Sequence, residues 1–357
     1  MKKYSLLLFY VVTNFCFAQQ KELAVVDLPP KTENTVFPMI NYPLDKKVEE
    51  KINLYLQVSE LETIPNSRKN PFQLAITATN SYTNYVYFYE WNKLETPKNI
   101  LSLMLNGEAT GAYSEVFTQW RNFDIRTGNL INAIDLFLPE SKKIIERKIK
   151  KVIVKKINDQ IALLKSEKTS TENDADALSI YENCFTEYTL DGLDYYFEKD
   201  KIIFVAGRCS NHAMRALDDL GSHVVDFSHK ELEKHLSSFG KNLWSGSKTV
   251  GKTSFDNKIF KGSIDKKYPI TMLVHGINED GSFSADYWYD KEKKIINWRG
   301  EISNDHLSII EDDYHDENLK KWIPKANIEA DIKGNKILGT WQNYKTKKYY
   351  TLELEEL

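Results

Sequence analysis

Residues Leu101–Phe137 read LSLMLNGEATGAYSEVFTQWRNFDIRTGNLINAIDLF. They hold two β-rich runs, a tight turn and the approach to a helix. The turn signal is Arg126-Thr127-Gly128-Asn129, set between strand-like VFTQWRNFDI and LINAIDLF. No residue in the stretch has the character of a catalytic group. Its content is architectural, and the rest of the chain is read outward from it.

Upstream, residues 72–79, 82–91 and 99–106 read as strands. A helix is expected from Pro43, because Val48, Ile52, Leu54, Tyr55 and Leu56 fall largely on one side of DKKVEEKINLYLQV. Residues 20–36 form an N-terminal tail, where Pro29 and Pro30 resist regular structure. The first residues, MKKYSLLLFYVVTNFCFAQQ, have the three-part layout of a secretory signal: basic Lys2 and Lys3, an apolar run from Leu6 to Val12, and small Ala18 before Gln19. Residues 1–19 are therefore expected to be removed on export, to the periplasm or the extracellular space. Bulky Phe15 ahead of Cys16 disfavours a lipoprotein, and no stretch approaches the roughly 20 apolar residues of a membrane helix.

Downstream, Pro139 opens a helix over about Glu140–Lys165. Ile144, Ile145, Ile149, Val152, Ile153, Ile157, Ile161 and Leu164 form its apolar stripe, and lysines crowd the other face. That basic face reads as a solvated surface of a packed helix, with contact to an anionic envelope polymer as the alternative. Residues 166–177 are polar and loop-like. Ser228 and Glu231 have capping-box spacing ahead of a short helix. Residues 246–254 suit a linker. Beyond it, KIFKGSI, YPITMLVHGI, SFSADYWYD, KIINWRGEI, DHLSIIE, WIPKANIEADI, KILGTWQNY and KYYTLELEEL alternate between turns, which predicts an antiparallel barrel or sandwich over 255–357. The fold class expected is α+β: an α/β sandwich at 37–245, with an antiparallel or mixed sheet backed by helices, then the all-β domain.

With 357 residues, 41% of them hydrophobic, the chain can bury a core in two domains. Its formal net charge is −3, and losing Lys2 and Lys3 with the leader takes it to about −5, which argues against nucleic acid as a partner. Once Cys16 departs with the leader, Cys184 and Cys209 remain as an even pair in an oxidising compartment. They flank a strand–turn–strand pattern that brings their ends near each other. A disulfide is expected there, with two buried thiols as the alternative.

Gly246–Thr253 (GSKTVGKT) matches the letters of a phosphate-binding loop. Such a loop needs a strand before it and a helix after it. Here a strand follows, so the match reads as chance. Glu231 and His235 are four apart, a spacing that more often makes a surface contact than a metal site. No metal or cofactor is expected. The run Glu311, Asp312, Asp313, Asp316, Glu317 lacks calcium-loop spacing and reads as a solvated hairpin tip. No G-x-S-x-G elbow is present, while 51 Asp and Glu leave a carboxylate hydrolase open.

Two groups are candidate binding residues. Arg208, Asn211, His212, Arg215, Asp218 and Asp219 crowd one loop beside Cys209, as a polar pocket or as a salt-bridged cover. Tyr287, Trp288, Tyr289, Trp298, Trp322 and Trp341 offer a stacking surface, or else fill the barrel core.

Three stretches resemble the PdaC/RsiV-like extracytoplasmic domain family (domain-of-unknown-function families 3298 and 4163). They are FPMINYPLDKKVEEKINLYLQ (Phe37–Gln57), the opening stretch with Gly111-Ala112-Tyr113, Asn122-Phe123-Asp124, Thr127-Gly128 and Asp135-Leu136-Phe137, and FTEYTLDGLDYYFEKDKIIFVAG (Phe185–Gly207). The resemblance spans roughly 37–244. It implies an α/β recognition domain outside the cytoplasm: one relative senses lysozyme, another sits beside a separate deacetylase domain. No catalytic residue carries over. The loop around Arg208–Asp219 departs from the family pattern, and the C-terminal strands resemble a small appended β-barrel. The expected function is an exported, non-enzymatic envelope protein that binds a glycan, a peptidoglycan fragment or a protein such as lysozyme. The alternatives are an envelope hydrolase of glycan or ester bonds, and a structural or inhibitory scaffold.

Overall fold

A computed structural model describes residues 22–72, 85–110, 114–166, 172–278, 280–317 and 319–357. The leader, most of the strand expected at 72–79, and Gly111-Ala112-Tyr113 lie outside the described residues.

The tail differs from expectation. Ala24–Asp27 (β1) pairs antiparallel with Pro38–Asn41 (β2), because extended Val25 and Val26 find a free partner edge. Helix α1 (Lys46–Leu61) starts where the Asp45 carboxylate accepts the N–H groups of Lys47 and Val48. It ends at Glu62, whose φ of 50° is left-handed. Val48, Ile52, Leu56 and Val58 are buried against Leu101, Leu103 and Leu105.

Those leucines alternate along β4 (Ile100–Thr110), the middle strand of an antiparallel sheet with β3 (Tyr85–Lys93) and β5 (Ser114–Asp124). The turn after β5 forms as read. Asp124 O accepts the N–H groups of Thr127 and Gly128, and Gly128 takes a φ of 76°. The run after it is not a strand. Leu130 makes one isolated bridge to Phe123, then Ala133–Leu136 forms a short helix, α2. The chain leaves the sheet edge there because the Asp135 carboxylate takes Ser254 N–H and Oγ–H, and Leu136 O takes Ser237 N–H.

Helix α3 (Pro139–Ser166) buries Ile145, Ile149, Ile153 and Ile157 on a second antiparallel sheet, β6 (Asp194–Glu198), β7 (Lys201–Ala206) and β8 (His223–Ser228). The loop expected at 166–177 gives way to helix α4 (Glu172–Glu182). Tyr181 reaches the same core and Ala177, four residues before it, is buried as well, which outweighs the polar composition. The two sheets meet edge on: Trp120 stacks on Tyr196 at 5.4 Å, and Asn122 Nδ2 donates to Tyr195 O at 2.7 Å. Ser228 and Glu231 form the capping box of α5 (His229–Leu232), and α6 (Ser238–Trp244) follows.

Residues 246–254 have no regular structure but are held closely. Arg126 donates to Ser247 O and Thr249 O, and Asn99 donates to Ser247 O. The sequence that matches a phosphate loop runs from a helix towards a strand, the reverse of what phosphate binding requires.

The C-terminal strands are β9 (Ile259–Ile264), β10 (Tyr268–Ile277), β11 (Ser282–Tyr289), β12 (Ile296–Ser303), β13 (His306–Asp316), β14 (Lys321–Lys333), β15 (Lys336–Asn343) and β16 (Tyr349–Glu356). Each pairs antiparallel with the next, and β16 pairs back onto β9, closing an eight-stranded up-and-down barrel. Closure removes the exposed edges. Gly262 permits the closing contact, since a Cβ there would lie 1.9 Å from Glu353 O. Alternate residues point inward, among them Met272, Val274, Ala285, Trp298, Ile309, Ile328 and Leu352. On the outer wall, Ile259, Leu273 and Trp288 join the α1 core, so the barrel and the α/β part share apolar packing.

Candidate binding site at the barrel mouth

One end of the barrel carries the turns 265–267, 290–295 and 344–348. Tyr268 opens β10, Tyr289 ends β11, Trp341 and Asn343 lie at the end of β15, and Tyr350 sits near the start of β16. With Glu292 and Ile264 they line a cavity of about 440 Å³. An eight-stranded barrel has room for side chains or for one small ligand. Here side chains fill the middle and the mouth stays hollow. Tyr287 and Trp298 form the packing beneath, with ring centroids 4.0 Å apart and both fully buried. Tyr289 leans on Tyr287 at 5.8 Å and on Tyr268 at 6.5 Å, while Trp341 meets Tyr350 at 5.7 Å.

A buried carboxylate holds this arrangement. Glu311 follows Leu307 and Ile309 in the inward register of β13 and is inaccessible to solvent. Trp341 Nε1–H donates to its Oε2 at 2.8 Å, and Lys325 Nζ lies 2.7 Å from its Oε1. The lysine reaches it where the β13–β14 register shifts between Glu311 and Asp312. Burial, and then the neighbouring Glu311 charge, push the phenols of Tyr287 and Tyr289 above their ordinary range. The carboxylate thereby fixes the indole plane of Trp341 at the cup wall.

The structure corrects the aromatic surface expected from sequence. Tyr287 and Trp298 face inward and are core. Trp288 faces outward but is covered by the α1 core, so it too is buried. Trp322 is exposed, apart from the cup, against His315 at 5.4 Å. Only Tyr289 and Trp341 of the expected set reach the cavity. The hairpin-tip reading of Glu311 also fails, because inward alternation carries it into the barrel. Sequence reading missed Tyr268, Tyr350, Asn343 and Glu292. Tyr350 shares a period-two register with core Leu352 and Leu354, a signal that was there to use.

The Arg208–Asp219 loop is internally bonded. Asp218 accepts from Ser210 N–H at 2.9 Å, Tyr181 Oη–H at 3.1 Å and Gly221 N–H at 3.1 Å. Burial opposes its charge, but these donors hold its carboxyl below the usual range. Arg208 pairs with Glu115 at 2.8 Å, and His212 Nδ1 lies 3.5 Å from the same carboxylate. Asn211 accepts Met214 N–H, Gln160 donates to Asp219 at 3.4 Å, and Arg215 begins a 3-10 turn. These bonds brace the loop against Glu115, Gln160 and Tyr181. Cys184 and Cys209 are bonded as a disulfide, beside buried His223, whose ring burial holds below its ordinary pKa. Glu231 accepts from Ser228 N–H, and the His235 ring faces Ser141 at 3.1 Å. Replacing both cysteines by alanine is expected to lower unfolding free energy by about 3 kcal/mol. Urea denaturation with and without reductant checks this; equal midpoints would contradict it.

A second hollow, about 400 Å³, lies between the barrel and the α/β part, lined in part by Arg121, Asp191, Asp194 and Asp256. Burial, and then Asp135, push the Asp256 carboxyl up to about 6. Burial also raises Asp194. No helix among the described residues is long and apolar enough to cross a membrane.

Fold and site define a mixed α+β protein: two small antiparallel sheets backed by helices, followed by a closed barrel with an open aromatic mouth. Among solved structures, the chain is similar to a member of the DUF3298 family from Bacteroides fragilis, at 15% identity and a TM-score of 0.38, covering 61% of this chain and 94% of that one. It is likewise similar to a DUF3298 family protein from Pseudomonas aeruginosa, at 10% identity and a TM-score of 0.39, covering 65% of this chain and 98% of that one. Both descriptions name domain-of-unknown-function family 3298, one of the two families given for the sequence resemblance. No family sequence model and no curated protein sequence matches the chain.

Proposed function

We propose that this is an exported, non-enzymatic envelope-binding protein whose barrel mouth holds a glycan or peptidoglycan fragment. The observation that carries the reading is the cup itself. Trp341, Tyr350, Tyr289 and Tyr268 supply apolar ring faces, and Asn343 and Glu292 supply hydrogen-bonding groups at the rim. A sugar ring has that same division between C–H faces and hydroxyl edges. Glu311 is engaged by Trp341 and Lys325 beneath the cup, which suits a positioning role more than proton transfer. The signal-like layout of residues 1–19 supports export. Retention of the mature protein on purified peptidoglycan or envelope polysaccharide, lost on Trp341→Ala, is the expected result. Retention on immobilised lysozyme alone would move the reading to a protein ligand, and no saturable retention on any of these would end it.

The hydrolase reading has one observation in its favour, the Asp256 carboxyl near 6 in the same hollow as Asp194. Turnover of a glycan or ester substrate that disappears in Asp256→Asn would establish it.

A further inference from the structure

We infer that the cup takes the end of a glycan chain and not an internal stretch. This rests on the glycan-binding reading. A chain bound along its length needs a groove with two exits. The cup instead sits in the mouth of a closed barrel, and its base is sealed by the closely packed, fully buried rings of Tyr287 and Trp298. A ligand enters and leaves by the same opening.

The walls point the same way. Trp341 and Tyr350 are inclined at 54°, and Tyr268 and Tyr289 at 83°. Coplanar rings in a row make a platform for successive sugars. Rings at these angles surround one unit. At about 440 Å³ the cavity lies near the small end of the roughly 300–1,000 Å³ typical of small-ligand sites, which suits a terminal unit. Because Glu311 holds the Trp341 indole, the wall is set before a ligand arrives, and little ordering is left for binding to impose.

The test is titration calorimetry of the mature protein with N-acetylglucosamine and its soluble oligomers up to the hexasaccharide. It is paired with co-sedimentation on intact peptidoglycan sacculi before and after partial muramidase cleavage. Molar affinity is expected to level off at the mono- or disaccharide and then change by less than about threefold. Sacculi are expected to retain more protein per unit mass once cleavage has created ends. Tyr268→Ala and Tyr350→Ala, each checked for folding by near-ultraviolet circular dichroism, are expected to weaken oligosaccharide binding by about tenfold or more. Affinity that climbs about tenfold with each added ring up to the hexasaccharide would overturn the chain-end assignment while leaving glycan binding intact, as would unchanged retention after cleavage. Full affinity in both folded tyrosine variants would overturn the cup as the site. No binding of any oligomer or of sacculi would overturn the glycan reading, and this inference with it.

Discussion

Glu356→Ala is expected to lower unfolding free energy by about 3–5 kcal/mol, the range for removing one member of a buried ion pair. Lys51, on α1, is almost inaccessible, and its ammonium lies 3.2 Å from Glu356 Oε1 and 2.5 Å from Leu357 O. Lys258 reaches the other carboxylate oxygen at 3.0 Å, and Asn129 Nδ2 donates at 2.8 Å. The last strand of the barrel is thus joined to helix α1 through one carboxylate. Removing it strands the Lys51 charge, which burial already disfavours and holds below the ordinary lysine range. Replacing both partners by apolar residues, as in Lys51→Met with Glu356→Leu, is expected to recover most of the loss. A double variant no more stable than Glu356→Ala would contradict the account.

The same group sets a pH dependence. Burial opposes the Glu356 charge, but Lys51, Asn129 and Lys258 outweigh it and leave the carboxyl below its ordinary range. A folded-state pKa below the unfolded value, about 4.3, gives stability that is present above that pH and lost as pH falls through the folded value. Wild-type stability measured by urea titration should decline on that side of pH 4, and Glu356→Ala should lack that part of the decline.

Trp298→Ala is the second large effect, at about 3–5 kcal/mol. Trp298 is fully buried in the barrel and packed against Tyr287, ring centroids 4.0 Å apart. Neighbours anchored on eight paired strands cannot collapse into the space, so the lost contacts and the cavity add. Near-ultraviolet circular dichroism during denaturation reads the change, and a loss under about 1 kcal/mol would show that the barrel interior relaxes freely. Binding at the mouth should weaken with it, because Tyr287, on which Tyr289 leans, loses its support.

Local signals carried far in this chain. The apolar stripe at 140–165 became α3, Ser228 and Glu231 formed their capping box, and the eight alternating runs after 255 became eight strands. In each case neighbours in sequence settle the matter: 3.6-residue or two-residue periodicity, or a side chain within reach of its own backbone. Where local pattern misled, a distant partner had intervened. Residues 130–137 look like a strand but are pinned by Ser254 and Ser237, and the polar start of α4 is carried by Tyr181 reaching the core and by buried Ala177.

Residue order alone determined the two-part α+β plan and the run of eight C-terminal strands, whereas barrel closure and the Cys184–Cys209 bond were decided by the folded structure. Tertiary closure alone decided what the aromatic residues do. Whether a tyrosine or tryptophan on these strands is core or surface depends on the register in which β16 meets β9, and on which outer wall the α1 core covers. Alternation says that two faces exist but not which of them is inside. For that reason Trp288 and Trp298 became packing, Tyr268 and Tyr350 became the rim of a cup, and Glu311, charged and within an acidic run, came to lie at the centre of the barrel.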